Sequence, residues 1–103
     1  MRGNPNISFD LGARDGFMLA RVSGDLDLSS GLEFEAFLHD LRDTHAHVRL
    51  DISGLQFMDA GGLRALERAT RGGSDWLEIL PQVQPQIWRM LTLTESEQIL
   101  SPA

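Results

Sequence analysis

Cysteine, tyrosine and lysine are all absent from this 103-residue chain. Without a thiol there is no cysteine nucleophile, no disulfide, no zinc-thiolate knuckle and no iron–sulfur site. Without lysine there is no Schiff base and no phosphate loop of the usual lysine-bearing kind. Apolar runs are short: none approaches the roughly 20 residues of a membrane span, and Met1–Ser8 lacks the apolar core of a secretory signal. Positive charge is scarce too, with 9 arginines against 15 acids and a formal net charge of -6. That balance disfavours non-specific nucleic-acid binding, which depends on neutralising phosphates. No internal repeat or low-complexity tract is visible. What is there, 42% hydrophobic and 23% charged residues, reads as one small acidic globular domain of cytosolic character.

The hydrophobic pattern alternates between strand and helix periods. Ile7, Phe9 and Leu11 face one way and Ser8 and Asp10 the other, a short strand. Turn residues Gly12–Gly16 lead to a second strand over about Phe17–Ser23, which predicts a hairpin. Ser30 followed by Glu33 is a capping-box pattern and sets a helix start near residue 30; Phe34, Phe37, Leu38 and Leu41 form its apolar stripe. Val48, Leu50 and Ile52 alternate with Arg49 and Asp51 as a third strand, and 54–58 reads as a connector with apolar anchors. Asp59 is placed to cap a second helix over about Ala60–Arg71, facing inward with Leu63, Leu66, Ala69 and Thr70 and stopped by Gly72-Gly73. A fourth strand, Trp76–Leu80, ends at Pro81; Ile87, Trp88 and Leu91 suggest a third helix beyond Pro85, and the tail adds a last turn. The order β-β-α-β-α-β-α predicts an α/β fold: a mixed sheet of four or five strands covered by helices.

Catalytic chemistry finds little footing. His45 and His47, two apart near Asp43, make a thin ligand set for a metal and read as surface or turn residues. Ser53 beside Asp51 has no GxSxG context and no placed base. Asp25, Asp27, Asp51 and Asp59 include enough carboxylates for an acid–base pair, but each also suits a turn or a cap. No enzyme activity and no cofactor is expected.

Asp59-Ala60-Gly61-Gly62 is more informative. Two glycines in the first turn of a helix disfavour it, so a close approach by a backbone or a ligand is implied, either a tight internal turn or a docking surface. Arg64, Arg68 and Arg71 follow at i, i+4 and i+7, suited to carboxylates on a partner or to a plain solvated face. Asp25–Asp43, in contrast, holds six acids and one arginine, a formal -5.

The run Asp51-Ile52-Ser53-Gly54-Leu55-Gln56-Phe57-Met58-Asp59-Ala60-Gly61-Gly62-Leu63-Arg64-Ala65-Leu66 closely resembles the signature of the STAS domain, the fold of anti-sigma factor antagonists, whose segment reads roughly DLSGVxFIDSSGLxxL. Gly24-Asp25-Leu26-Asp27 is similar to the family's GELD, and Ile87-Trp88-Arg89-Met90-Leu91 to its VxRxL. The resemblance spans nearly the whole chain. It implies a cytoplasmic bacterial regulator of transcription without catalysis, which binds an anti-sigma factor of the histidine-kinase-like ATPase (serine kinase) family and so releases the sigma factor. The implied partner surface takes in Asp25, Asp27, Gly54, Phe57, Met58, Asp59, Ala60, Gly61, Gly62, Arg64 and Arg68. Leu55, Phe57 and Met58 are contacts or core anchors, undivided by sequence.

In the family, phosphorylation of the serine after the motif aspartate blocks binding. Here that position is Ala60, and the next family serine falls on Gly61. Without a hydroxyl the usual switch cannot operate. An unswitched antagonist, regulation through another site such as Ser53, or another STAS branch would each accommodate this. The last includes the cytosolic STAS subunit that braces the ATPase of lipid-transport ABC transporters. A homodimer is compatible with the sequence; direct nucleic-acid binding and membrane insertion are not expected.

Overall fold

Apolar side chains at every second position make Ile7–Arg14 (β1) and Phe17–Leu26 (β2) strands, and the two-residue turn Asp15-Gly16, with Gly16 at φ 85°, folds them into an antiparallel hairpin. The computed structural model describes residues 6–70 and 75–101. After β2 come α1 (Gly31–Thr44), β3 (Val48–Met58), α2 (Ala60–Thr70), β4 (Leu77–Ile79), α3 (Pro85–Leu93) and a 3-10 turn, Glu97–Ile99. The sheet order is β1-β2-β3-β4, with β2, β3 and β4 parallel, so the sheet is mixed and has four strands. Arg71 and the expected Gly72-Gly73 stop lie outside the described residues.

One face of the sheet carries Ala20, Val22, Val48, Leu50, Ile52, Leu77 and Ile79, and the helices cover it with Phe34, Leu38, Leu41, Leu63, Leu66, Ile87 and Leu91. Phe9 of β1 stacks on Phe37 of α1 with ring centroids 4.3 Å apart. Burying each of the large aliphatic side chains contributes about 1.5–3 kcal/mol. The other face is open and polar: Arg21 pairs with Asp51 at 3.6 Å, Arg49 with Glu78 at 3.3 Å, and the Arg49 guanidinium lies 4.1 Å from the centre of the Phe17 ring.

Three expectations need correction. Residues 54–58 are not a connector but the second half of β3. The β2–β3 register shifts between Arg21 and Ser23 and again between Gly24 and Asp25, so β3 carries an extra residue at each place. Those bulges keep Leu55 and Met58 pointing into the core at spacings of three, which no alternating pattern reveals. Ser30, moreover, makes no side-chain cap bond to α1. Its buried hydroxyl donates to the Asp25 carbonyl (2.9 Å) and accepts from the Asp27 amide (2.9 Å), so it ties the turn before the helix. β2 also runs three residues past its expected end, to Leu26.

Candidate functional site

The parallel strands β2 and β3 end side by side, with Asp25 opposite Phe57 and Leu26 opposite Met58, and each feeds a helix. The β2–α1 turn and the start of α2 therefore sit together beyond the carboxyl ends of parallel strands, the place where open α/β sheets present their binding sites.

Asp59 holds the two together. Its Oδ1 accepts from the Gly62 amide at 2.8 Å, the side-chain cap expected of it, and its Oδ2 accepts from the Leu28 amide at 3.3 Å. Across the turn, Asp27 Oδ1 accepts from the Ser29 hydroxyl (2.8 Å) and the Ser30 amide (3.0 Å). Those hydrogen bonds, Ser29's first, hold the Asp27 carboxyl below the usual aspartate range.

The glycines divide by role. At Gly62 a β-carbon would collide with the Leu26 carbonyl oxygen, so this glycine is an internal packing requirement and its buried atoms offer nothing to a partner. At Gly54 it would come within 2.5 Å of the Ser23 hydroxyl, again an internal close approach. Gly61 is half-buried, its β-carbon position 3.0 Å from the Leu28 α-carbon. Ala60 beside it is exposed.

The apolar anchors divide as well. Leu55 and Met58 are core, at 0% and 6% exposure, which removes Met58 from the expected contact surface; Phe57 is half exposed and stays on it. Arg68 is engaged within the molecule: Nε and Nη2 hold both Glu35 carboxylate oxygens at 3.0 and 2.6 Å, which depresses the Glu35 carboxyl and raises the guanidinium. Arg64 is exposed and makes no ion pair with a described residue. Asp25 is half-buried, and its carbonyl receives the Ser30 hydroxyl.

Sequence reading missed Leu28 and Leu32, which are 75% and 80% exposed. Leu28 lies against Gly61, and Gly31, the residue before Leu32, packs on Ala65 of α2, which sets the start of α1 beside the start of α2. A signal was present: Leu32 falls about 200° around the helix from Phe34, on the side away from the core stripe.

The remaining candidates stand apart. Ser53 sits across the sheet from the core, its amide donating to Asp51 Oδ1 (2.9 Å) and its carbonyl accepting from Gln84 (2.9 Å). His45 and His47 precede β3 at the opposite end of the sheet, and among the described residues no three metal-ligating side chains converge. A hollow of about 1150 Å³ opens at that same far end, lined by His47, Trp76 and Leu100 among others. Among the described residues no helix is long and apolar enough to cross a membrane.

The geometry has relatives. An anti-sigma factor antagonist from Mycobacterium paratuberculosis superposes with a TM-score of 0.73 at 20% identity, over 96% of this chain and 87% of that one. The unphosphorylated anti-sigma factor antagonist SpoIIAA gives 0.67 at 16% identity, over 93% and 88%. A STAS domain antisigma-factor antagonist from Rhodobacter sphaeroides gives 0.59 at 22% identity, over 96% and 100%. These likenesses establish a shared fold. No curated protein sequence matches the chain. The STAS domain family model matches residues 8–100, and with the four-stranded mixed sheet and the Asp59-capped α2 in place, the chain belongs to the STAS domain family.

Proposed function

We propose that this STAS domain is a non-enzymatic cytoplasmic binding module that docks on an anti-sigma factor of the histidine-kinase-like ATPase family and thereby frees a sigma factor for transcription. One observation carries the reading: Ala60, Leu28 and Leu32 are exposed apolar residues, with half-buried Gly61 against Leu28, in the segments that follow the carboxyl ends of β2 and β3. Exposed apolar side chains gathered in neighbouring segments favour a contact surface, where ones scattered singly do not. The likeness to anti-sigma factor antagonists supports the same reading. Arg64 and Phe57 border the surface, and Asp27 and Asp59 shape it from behind.

Position 60 supports one mode of regulation over the family's usual one. A phosphate there would add nearly two negative charges to an apolar corner, and alanine cannot accept one. On this reading the domain binds without a phosphate switch at position 60, and its abundance sets its output.

Titration calorimetry against the anti-sigma kinase encoded nearest to it tests the proposal. Native protein binds, and Ala60→Asp, which places a charge on the exposed corner, abolishes the heat while circular dichroism stays native. Equal binding by a folded Ala60→Asp protein overturns it. Saturable binding to an ABC transporter ATPase in place of the kinase moves the domain to the transporter branch.

A further inference from the structure

The two edges of the sheet are treated differently. Along β4, Ser101 donates its amide to the Ile79 carbonyl (2.6 Å) and its hydroxyl to Glu78 (2.6 Å), so the chain itself covers that side. β1 is the other edge, eight residues long, and no described strand pairs with its outer side. Unpaired edges of this length are usually blunted, because they offer a row of main-chain donors and acceptors.

Which groups point outward follows from the ladder. The Asp25 amide donates to the Asn6 carbonyl at 2.7 Å, and the β1–β2 register runs without a break from there to Arg14–Phe17. Hydrogen bonding alternates along an antiparallel strand. Asn6, Ser8, Asp10, Gly12 and Arg14 therefore bond to β2, and the amides and carbonyls of Phe9, Leu11 and Ala13 face out.

We propose that this edge joins a second copy of the chain, β1 to β1 in antiparallel, with the two-fold axis at Gly12. That register places Leu11 opposite Ala13 of the second copy as hydrogen-bonded pairs, which uses the outward groups. It also sets Asp10 opposite Arg14 of the second copy, twice by symmetry, in non-hydrogen-bonded pairs whose α-carbons lie about 4.5 Å apart. All four of these side chains are exposed on the open face of each sheet. Opposite charges directly across such positions stabilise the pairing, here twice by symmetry. Gly12 meets itself at the axis, where the lack of a side chain lets the strands close. On the core side Leu11, 48% exposed in the single chain, gains the Ala13 methyl and the diagonal Leu11 of the second copy.

Competing registers fail on charge. An axis at Asp10 puts the two aspartates face to face, and an axis at Leu11 sets Asp10 against Gly12 and Arg14 against Ser8, leaving both charges unpaired. In the single chain Arg14 Nη1 bonds to the neighbouring Ala13 carbonyl (3.1 Å), an exposed contact that its guanidinium exchanges for Asp10 of the second copy. The product is one continuous sheet of twice the width, its two apolar corners free for partners.

Sedimentation equilibrium of the full chain across protein concentrations reads the association directly, and a dimer with a dissociation constant below about 1 mM is expected. Arg14→Asp and Asp10→Arg each weaken it about tenfold through two like-charge contacts, and the double variant, which restores both pairs in reverse, recovers it. Gly12→Cys, whose β-carbon position meets only the movable Arg14 guanidinium, oxidises to a covalent dimer in this otherwise cysteine-free chain; Leu11→Cys does not. Should Asp10→Arg unfold beside Arg21, Arg14→Asp and the cysteine pair decide the matter. A monomer at every concentration, a dimer indifferent to both charge reversals, or cross-linking at Leu11 in place of Gly12 overturns the proposal.

Discussion

The α-carbon of Gly62 rests against the carbonyl oxygen of Leu26, with no room for a β-carbon between them. This contact sets how closely α2 descends onto the end of β2, and so it positions the Ala60–Gly61 corner relative to the turn carrying Leu28. Gly62→Ala is expected to destabilise the fold by about 2 kcal/mol, because overpacking against backbone outweighs the gain of up to about 1 kcal/mol in helix propensity. Urea denaturation of the variant measures it, and an unchanged or raised midpoint contradicts the contact.

Asp59 serves two amides, Gly62 through Oδ1 and Leu28 through Oδ2. Asp59→Ala should cost about 1–2 kcal/mol, the usual loss for a helix cap, and Asp59→Asn about half as much, since one acceptor oxygen survives. Thermal melts of the two variants rank them, and amide exchange at Leu28 should quicken in both.

Leu32 is surface and Met58 is core. Leu32→Ala is expected to leave stability within about 0.5 kcal/mol and to weaken partner binding at least tenfold. Met58→Ala should lose about 2–4 kcal/mol of stability through its cavity, whatever it does to binding. Melting and calorimetry on the same preparations separate the two; equal effects on both readouts would deny the division of labour.

The depressed carboxyls of Asp27 and Glu35 tie stability to pH. A folded-state pKa below the unfolded one stabilises above the ordinary carboxylate range, and the stabilisation is lost as pH falls through the folded value. Both groups are half-buried at the surface, where solvent screening keeps the effect small. The melting temperature should therefore drop in acid, below the ordinary aspartate range, and Asp27→Asn should melt lower at neutral pH while showing a shallower acid decline. A parallel decline in both proteins removes Asp27 as a contributor.

Much of this was legible beforehand because it is local. The stripe Phe34, Phe37, Leu38 and Leu41 reports a helix wherever it occurs, and Asp59 before a small-residue turn reports a cap. The second half of β3 was not legible, since Leu55 and Met58 point inward only because β2 lies beside two bulges. Ser30 misled for a related reason: its capping pattern is local, but its hydroxyl is taken by Asp25 and Asp27 in the preceding turn.

The amino-acid sequence by itself determined the α/β order, the cap at Asp59, the family signature around it, and the absence of a hydroxyl at Ala60, because each depends on residue type and spacing along the chain. Tertiary structure alone decided that Gly62 is a packing requirement and Ala60 surface, that Arg68 belongs to Glu35, that Leu28 and Leu32 stay in water, and that no described strand covers the outer edge of β1. Those facts are distances between segments far apart in the chain, fixed only when the packed sheet and helices exclude water from one side of each and leave the other exposed.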